Sequence, residues 1–517
     1  MRYVDLIAEH PWTWALFVLY LAATAWLAVL GRRRAKVDSR SFAIAQVHPL
    51  VAGMSLAAAL ASTSTFVINP GFVYVHGLSA LLHLGVAAVL GMGAGLSLVC
   101  GPFRRQGASS GAVTIPQWIG QRFGSKGLRT FFAAINLLSL CFVILIVGAL
   151  SIVMQTTLGL GNAESLVIVI GFVFGYVLLG GAYASAYANT LHAAIKAIVA
   201  VMIIVSGLHH FSGGAGPVLD QLRAVDPNLA APINPASTMF GSFFSVYVAG
   251  FVIGFALMCQ PHIMTMALYV KDDRGVRRLL TVAIALSVVF AGVLLAGLYA
   301  RLDGLPPSAM IDPVTHAFRQ DRVMATYLAS TFSPPALALV TIAVMAAGMS
   351  ALSAILMTLS SITGQDLWVG VLRGGRGGDA AARRASRVIL IAMGLLVFVV
   401  ALDPPTLLGV FGQLGAYGVV SAAAAPMVIG ALSPALGRRG ATVAAVAGPV
   451  VHFGLYFVGP RLEGLASAAR ALGLDIANPG VTATAGILTS TLVALGSVAL
   501  ARASRGAMAG SVASPIA

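Results

Sequence analysis

The sequence predicts an all-α polytopic membrane protein with about thirteen transmembrane helices. Its 517 residues are 59% hydrophobic and only 9% charged, and the mean hydropathy is +0.94. A soluble domain is nearer to a quarter charged. Apolar runs of about 20 residues, long enough to cross a bilayer, recur along the whole chain. Their approximate ranges are 11–31, 48–74, 78–101, 129–158, 163–181, 189–209, 239–263, 279–300, 332–365, 387–402, 404–432, 440–459 and 480–502.

The segments between these runs are too short to hold a soluble domain, so residues 1–505 are expected to form a single membrane domain. The longest predicted outer segments, 210–238 and 301–331, combine prolines with charges of both signs, as surface loops do. The first span is followed by Arg32–Arg34, the reverse of the charge order of a signal peptide, which predicts a retained helix. Residues 506–517 are small and polar and are predicted to be a disordered tail.

The basic residues predict the orientation of the chain. Of the 31 Lys and Arg residues, 23 fall in alternate loops, as expected if those loops face the cytoplasm. The N-terminus is then outside and the C-terminus inside, in a bacterial-type inner membrane. The net charge of +15 follows from this topology, so we expect lipid and a small solute as partners, and no nucleic acid.

The stretch 49–71 is apolar enough to enter a bilayer, yet its centre has four consecutive hydroxyl residues and its end has Asn69, Pro70 and Gly71. Irregular backbone at membrane depth persists only where it lines a protein cavity. Transporters use such interrupted helices to bind ions and substrates near the midplane. Alternatively, the hydroxyls bond back to the carbonyls of an ordinary helix. The first reading makes residues 62–64 (Ser62, Thr63 and Ser64) candidates for substrate contact.

Several short motifs occur in order between residues 38 and 430. They are Asp38–Ala43 with Met54–Ala58, Thr114–Trp118 with Arg122–Gly124, Tyr176 with Gly180–Gly181, Gln260–Ile263, and Gln365–Trp368. In this order they resemble the sodium/solute symporter family, which includes proline, pantothenate, acetate and sugar transporters.

The resemblance implies a LeuT-type core of two inverted five-helix repeats, at about 48–209 and 239–432. One extra helix precedes this core and two follow it. Spans 2 and 7 would be the discontinuous helices, and Gly250 and Gly254 in span 7 suit that role. Corresponding interrupted spans in two halves indicate a binding site near the midplane.

The resemblance also implies a cation site, formed by the carbonyls of Ala58, Ala61 and Ala347 and the hydroxyl of Ser350. These groups are candidate ligands for Na⁺. A second hydroxyl expected from the family falls on Ala351. Sodium is a hard cation that prefers several oxygen ligands, so this loss weakens the site.

Lys196 is the second departure from the family pattern. An ammonium inside a membrane is costly, so a functional role is the default hypothesis. It lies seven residues beyond Asn189, where many members have an acid, which places it roughly 10 Å deep in its helix. Desolvation favours a neutral amine, so Lys196 could exchange a proton and replace the ion. Alternatively, its long side chain extends back to the headgroups.

Two aromatic residues complete the set of candidate substrate contacts. Phe255 lies where the family often has an aromatic inner gate, and Tyr417 could line the cavity from span 11. A packing role is an equally good interpretation of each. Gln260 and His262 are expected to serve helix packing and loop anchoring, and His83 is expected to be a hydrogen-bonded structural residue.

The sequence thus predicts a secondary active transporter that moves a small organic solute together with a cation by alternating access. The solute is predicted to be a monocarboxylate or an amino acid such as proline, and the coupling ion Na⁺ or H⁺. The alternatives are an ion-independent uniporter or exchanger and a transporter-like membrane sensor. The sequence has no HExxH or P-loop motif, and neither an enzyme nor a bound cofactor is expected.

Overall fold

The computed structural model describes residues 7–38, 44–311, 318–405 and 408–512, and its regular structure is helical. Within these ranges the only strand-like pairing is an isolated antiparallel bridge between Ile311 and Phe318. Ten of the described helices are long and apolar enough to cross a membrane, and two bent helix pairs bring the number to twelve. The all-α membrane fold predicted from the sequence is confirmed. Residues 39–43 of the first motif lie outside the described ranges.

The principal helices, numbered in chain order, define the framework of the site. They are α1 (Pro11–Asp38), α2 (Pro49–Leu60), α3 (Ser64–His76), α4 (Leu78–Ser110), α5 (Ile115–Arg122), α6 (Lys126–Gln155), α7 (Asn162–Ser206), α8 (Ala215–Val225), α9 (Phe244–Leu257), α10 (Pro261–Tyr269), α11 (Asp273–Leu302), α12 (Val323–Thr331), α13 (Pro334–Leu372), α14 (Gly378–Leu402), α15 (Leu408–Leu432), α16 (Arg438–Phe457), α17 (Glu463–Ala471) and α18 (Pro479–Val512).

Two helices are broken, as predicted for spans 2 and 7. The α2–α3 pair bends by 52° and the α9–α10 pair by 57°. At the first break Ala61 is extended (φ −88°, ψ 90°), and the Ser62 hydroxyl accepts from the amide of Ser64. At the second, Gln260 is extended (φ −62°, ψ 136°), the conformation that the following Pro261 favours.

The two glycines predicted to loosen span 7 serve helix packing instead. The break lies beyond them, between Leu257 and Pro261. A Cβ atom on Gly254 would overlap the carbonyl of Ala88, and one on Gly250 would press on Ala87 and His83. These glycines therefore let α9 pack closely against the α4 region, which brings the broken helix to the cavity.

Helix α7 is a hairpin of two arms. Gly181 has φ 54° and ψ −137°, a conformation that side chains rarely adopt. Tyr176 donates to the carbonyl of Met349 (3.3 Å) and Lys196 to the hydroxyl of Ser350 (3.0 Å). A straight helix would separate Tyr176 from Lys196 by about 30 Å. Because they contact adjacent residues, the chain must reverse at Gly181.

The two arms of α7 correspond to the predicted spans 163–181 and 189–209. Counting them separately would give thirteen spans, and that number stays a prediction, as do the limits of the two repeats. At the C-terminus α18 continues to Val512, into the segment predicted to be a disordered tail. Residues 513–517 lie outside the described ranges.

Loops predicted to be cytoplasmic meet at one end of the bundle. Arg104 donates to the carbonyl of Lys271 (2.8 Å) and pairs with Asp273 (2.6 Å). Arg122 donates to the carbonyls of Gly430 (2.8 Å) and Ser433 (2.7 Å) at the end of α15, where a helix leaves carbonyls without internal partners. These contacts place alternate loops on the same side, as the charge distribution predicts.

Two of the sequence motifs bond to each other at this end. The side chain of Asp366, fully buried in α13, accepts from Thr114 (2.7 Å) and from Arg129 (2.7 Å). Beside it Gln117 donates to Gln365 (2.9 Å). The loop motif and the end of the ninth span therefore form one polar cluster that ties α5 and α6 to α13.

We expect Asp366→Ala to destabilise the protein by about 3 kcal/mol, because it leaves Arg129 without its buried partner. Arg129 is 35% exposed and can turn partly to water, which places the effect at the lower end of such losses. The measurement is the thermal unfolding midpoint of the purified protein. Asp220→Ala is the control: its pair with Arg223 is exposed, so its removal should change the midpoint little. Equal midpoints for the two variants would contradict the prediction.

Candidate solute and cation site

A cavity of about 190 Å³ lies beside the breaks of the two bent helices. The α2–α3 break, α4, α9, α11 and α15 contribute its walls, together with Phe142 of α6. Its apolar lining is interrupted by hydroxyl, amide and imidazole groups, and no Lys, Arg, Asp or Glu lines it among the described residues. A concave, mostly apolar site with a few polar groups is typical of small-molecule binding.

The structure brings three of the five predicted substrate contacts to this cavity. Ser62 and Ser64 line it from the α2–α3 break and Tyr417 from α15. Thr63 does not: it is fully buried, and its hydroxyl lies 2.5 Å from the position that a Cβ on Gly348 of α13 would take. Phe255 is also outside the lining, because its ring packs on α4 at Gly95. The break turns adjacent residues to opposite sides.

The cavity is also lined by polar residues to which the sequence analysis gave another role or no role. Gln260 stands at the second break, and Gln413 faces the cavity from α15. Asn69 lines it as well and accepts from Ser64 (3.2 Å). These residues could have been identified from the sequence as amide side chains in otherwise apolar spans, where polar groups are costly and usually functional.

His83 also faces the cavity. Its Nδ1 lies 2.7 Å from the carbonyl of Ser245. Because a carbonyl only accepts, Nδ1 carries a proton, which leaves Nε2 as the acceptor of a neutral ring. Beyond His83 a smaller cavity of about 20 Å³ continues past Gln413 and Tyr417 toward Phe240. This path leads toward Met239 and Phe240, at the predicted outer end of span 7.

Lys196 lies at the predicted cation site. Its ammonium, fully buried, donates to the carbonyls of Ala58 (2.7 Å) and Ala61 (2.9 Å) and to the hydroxyl of Ser350 (3.0 Å). The three acceptors match the three N–H groups of an ammonium. Ala58 and Ala61 have carbonyls to offer because α2 ends at Leu60, so the last turn lacks some internal partners.

The remaining predicted residues surround this contact. The Ser350 hydroxyl, which accepts from Lys196, lies 2.8 Å from the carbonyl of Ala58 and 3.0 Å from that of Ala347. The Asn189 amide lies 3.5 Å from the carbonyl of Ser350, and its oxygen accepts from Ser353 (3.4 Å). Ala347 thus takes part through Ser350, and Asn189 supports the same turn of α13.

The cation site and the cavity share one wall. The Lys196 Nζ lies 5.4 Å from the ring centre of Phe290, and that ring lines the cavity. Ala61 belongs to both, because its carbonyl accepts from Lys196 while the residue lines the cavity. A change in the charge or position of the ammonium therefore acts directly on the helix break that faces the solute.

The N-terminal helix covers the opposite side of the cation site. Tyr20 of α1 bonds to the Nε2 of His192 (3.0 Å) and donates to the sulfur of Met349 (3.3 Å). Thr24 is 3.4 Å from the same nitrogen. His192 lies one helical turn from Lys196, so α1 packs on α7, which carries the lysine, and on α13, which carries Ser350.

Comparison with known proteins agrees with this geometry. The profile of the sodium:solute symporter family matches residues 42–448. The chain is 25% identical over 411 residues to the sodium/pantothenate symporter of Escherichia coli (strain K12), covering 78% of this chain and 81% of that protein. It is 26% identical over 369 residues to the high-affinity proline transporter PutP of Bacillus subtilis (strain 168), with 68% and 72% covered.

A solved structure shows the same fold. A Na⁺-coupled sialic acid symporter in a substrate-bound outward-open state superimposes with a TM-score of 0.75 at 13% identity, over 95% of this chain and 97% of that one. The LeuT-type fold expected from the motifs is thereby confirmed, and the chain is a multi-pass symporter that couples a solute to a cation. It belongs to the sodium:solute symporter family.

Proposed function

We propose that Lys196 replaces the bound sodium ion in this symporter and that a proton gradient drives uptake of a small organic solute. One observation carries the proposal: the ammonium donates to Ala58, Ala61 and Ser350, three of the four groups expected to hold Na⁺. A sodium ion on the same carbonyls would lie beside the ammonium, and the two like charges would repel each other at this distance. Sodium would have to displace a fixed lysine.

The remaining groups fit sodium poorly. The expected ligand set is limited to the carbonyls of Ala58, Ala61 and Ala347 and the Ser350 hydroxyl, and Ala351 offers a methyl group where a further oxygen was expected. An amine that gains and loses a proton supplies and removes the same charge without moving an ion. The protonated Lys196 joins α2 to α13 through its three hydrogen bonds, and the neutral amine loses part of that interaction. This coupling of charge to helix packing is the proposed link to alternating access.

The solute is proposed to be a monocarboxylate or an amino acid such as proline. A cavity of about 190 Å³ suits a small molecule. The amide groups of Gln260, Gln413 and Asn69 can donate to a carboxylate, and no fixed negative charge among the described residues of the lining opposes it. The two sequence relatives named above, a pantothenate symporter and a proline transporter, are consistent with this class.

Uptake into proteoliposomes would test both parts. We expect an inward proton gradient to support accumulation of a labelled carboxylate or proline without sodium, and a protonophore to abolish it. A sodium gradient at equal pH should have little effect. Accumulation that needs sodium and ignores the protonophore would contradict proton coupling, and equilibration without accumulation would favour a uniporter.

We further propose an inner-membrane location with the N-terminus outside. Single cysteines at exposed Lys126 and Ser467, in a background without the three native cysteines, should distinguish the two sides. A membrane-impermeant maleimide should label Ser467→Cys in intact cells and Lys126→Cys only after permeabilisation. Labelling of Lys126→Cys in intact cells would reverse the orientation.

A further inference from the structure

A cluster of two imidazoles and a carboxylate lies at the end of the bundle predicted to face outward. His209 and His210 follow α7, and Asp303 follows α11. One ring nitrogen from each histidine and one carboxylate oxygen lie within 4.8 Å of one another. No other three His, Cys, Asp or Glu side chains in the described ranges come together in this way. We propose that this cluster is a binding site for a divalent transition metal such as Zn²⁺.

The hydrogen bonds of the cluster leave nitrogen atoms suited to a metal. The Nδ1 of His209 lies 3.2 Å from the carbonyl of Ser206, so it carries the proton and leaves Nε2 as a ligand. Bonding of the second ring nitrogen to a backbone carbonyl is the usual way to orient a metal-binding histidine. The Nε2 of His210 lies 2.9 Å from Asp303. A metal would enter between these two groups and bind both.

Tetrahedral zinc with nitrogen and oxygen ligands at about 2.0–2.1 Å brings those ligands to roughly 3.4 Å from one another. The most distant of these atoms must therefore approach by at most about 1.4 Å, whereas the His210 Nε2 and the Asp303 oxygen, now 2.9 Å apart, must separate by about 0.5 Å. His209 is exposed and can rotate, whereas His210 is largely covered, with 12% of its side chain exposed. Two imidazoles and one carboxylate suit zinc, copper, nickel or cobalt, with water in the open position.

The neighbouring packing holds the cluster together before any metal binds. Tyr299 of α11 donates to the carbonyl of Ile204 (3.0 Å), and its ring stacks on His210 at 6.0 Å. A Cβ on Gly207 would overlap that ring, so only glycine lets the two helix ends approach this closely. The ends of α7 and α11 are thus already joined, and little ordering remains for the metal to impose.

An ion at this position would fasten two helices that serve the transport site. The α7 arm carries Lys196, and α11 carries Phe290, whose ring separates the ammonium from the cavity. We therefore expect Zn²⁺ outside the membrane to slow uptake several-fold. The slowing of uptake depends on the proposed transport cycle, in which α7 moves relative to α11, whereas the binding of Zn²⁺ to the cluster does not depend on it.

Isothermal titration of the purified full-length chain with ZnCl₂, after removal of any polyhistidine tag, tests the site. We expect one Zn²⁺ per chain, with affinity at least tenfold weaker in His209→Ala, His210→Ala and Asp303→Asn. His10→Ala, which removes an exposed histidine elsewhere, should bind as the wild type does. Co²⁺ should give visible absorption that these three variants lose.

No saturable binding, or binding that the three variants leave unchanged, would overturn the site and mark any zinc as adventitious. His209→Ala is the decisive variant because its side chain is exposed and its loss should not affect folding. Uptake assays then test whether bound zinc slows transport by fastening α7 to α11. Zinc should slow uptake by the wild type and leave uptake by His209→Ala unaffected. Equal inhibition of both would show that zinc does not act by fastening α7 to α11, even if the titration confirms the binding site.

Discussion

Lys196→Met is expected to abolish concentrative uptake while leaving the protein in the membrane. Methionine has a similar length and is apolar, so it is cheap to insert, but it donates no hydrogen bond. The carbonyls of Ala58 and Ala61 would lose the charged donor that joins α2 to α13. We expect accumulation ratios to fall from well above one to about one, measured in proteoliposomes with an imposed proton gradient.

Exchange of labelled for unlabelled solute separates coupling from folding in the same preparation. Lys196→Met should retain measurable exchange, because it replaces none of the residues that line the cavity, while accumulation is lost. Ala351→Ser, with the lysine present, should not make uptake sodium-dependent, since Lys196 still occupies the carbonyls. If Lys196→Met accumulated solute with sodium as well as the wild type does, the role proposed for the lysine would be wrong.

The second large effect is expected from Ser62→Leu, which should reduce uptake to background. Ser62 lines the cavity, and leucine would fill part of its about 190 Å³ and remove a polar contact. It would also remove the hydroxyl that accepts from the amide of Ser64 at the helix break. Initial uptake rates, normalised to inserted protein, provide the measurement.

The adjacent Thr63 offers a matched control. Its buried hydroxyl has no hydrogen-bond partner among the described residues and faces α13 near Gly348. Thr63→Val has almost the same shape and removes this hydroxyl, so uptake should remain near the wild-type rate. A loss in Thr63→Val equal to that in Ser62→Leu would mean that the break is sensitive to any change and that the cavity assignment is unsupported.

The position of the lysine could be predicted because it depends only on the helical rise per residue and on the resemblance to the symporter family. Helical rise places Lys196 about two turns beyond Asn189, and the family pattern identifies Ala58, Ala61 and Ser350 as the groups at that depth. Backbone carbonyls are insensitive to side-chain rotation. The structure then showed the ammonium on those carbonyls, a contact that composition alone could not have indicated.

The cavity lining was harder to predict because it depends on rotation about each helix axis. In a regular helix, adjacent residues point about 100° apart, and a break adds an unknown turn. Thr63 and Phe255 therefore faced away, while His83 and Gln413 faced inward. Hydrophobic patterning gives little help here, since lipid and protein neighbours both accept apolar side chains.

The contact between α1 and the cation site has a consequence for biosynthesis. Tyr20 is made first, but its partner His192 follows 172 residues later and Met349 follows 329 residues later. At about 5–20 residues per second, the ribosome adds His192 roughly 10–35 s after Tyr20. During that interval the newly inserted α1 must keep Tyr20 and Thr24 in the bilayer without these partners, and only the later helices complete the enclosure of the lysine.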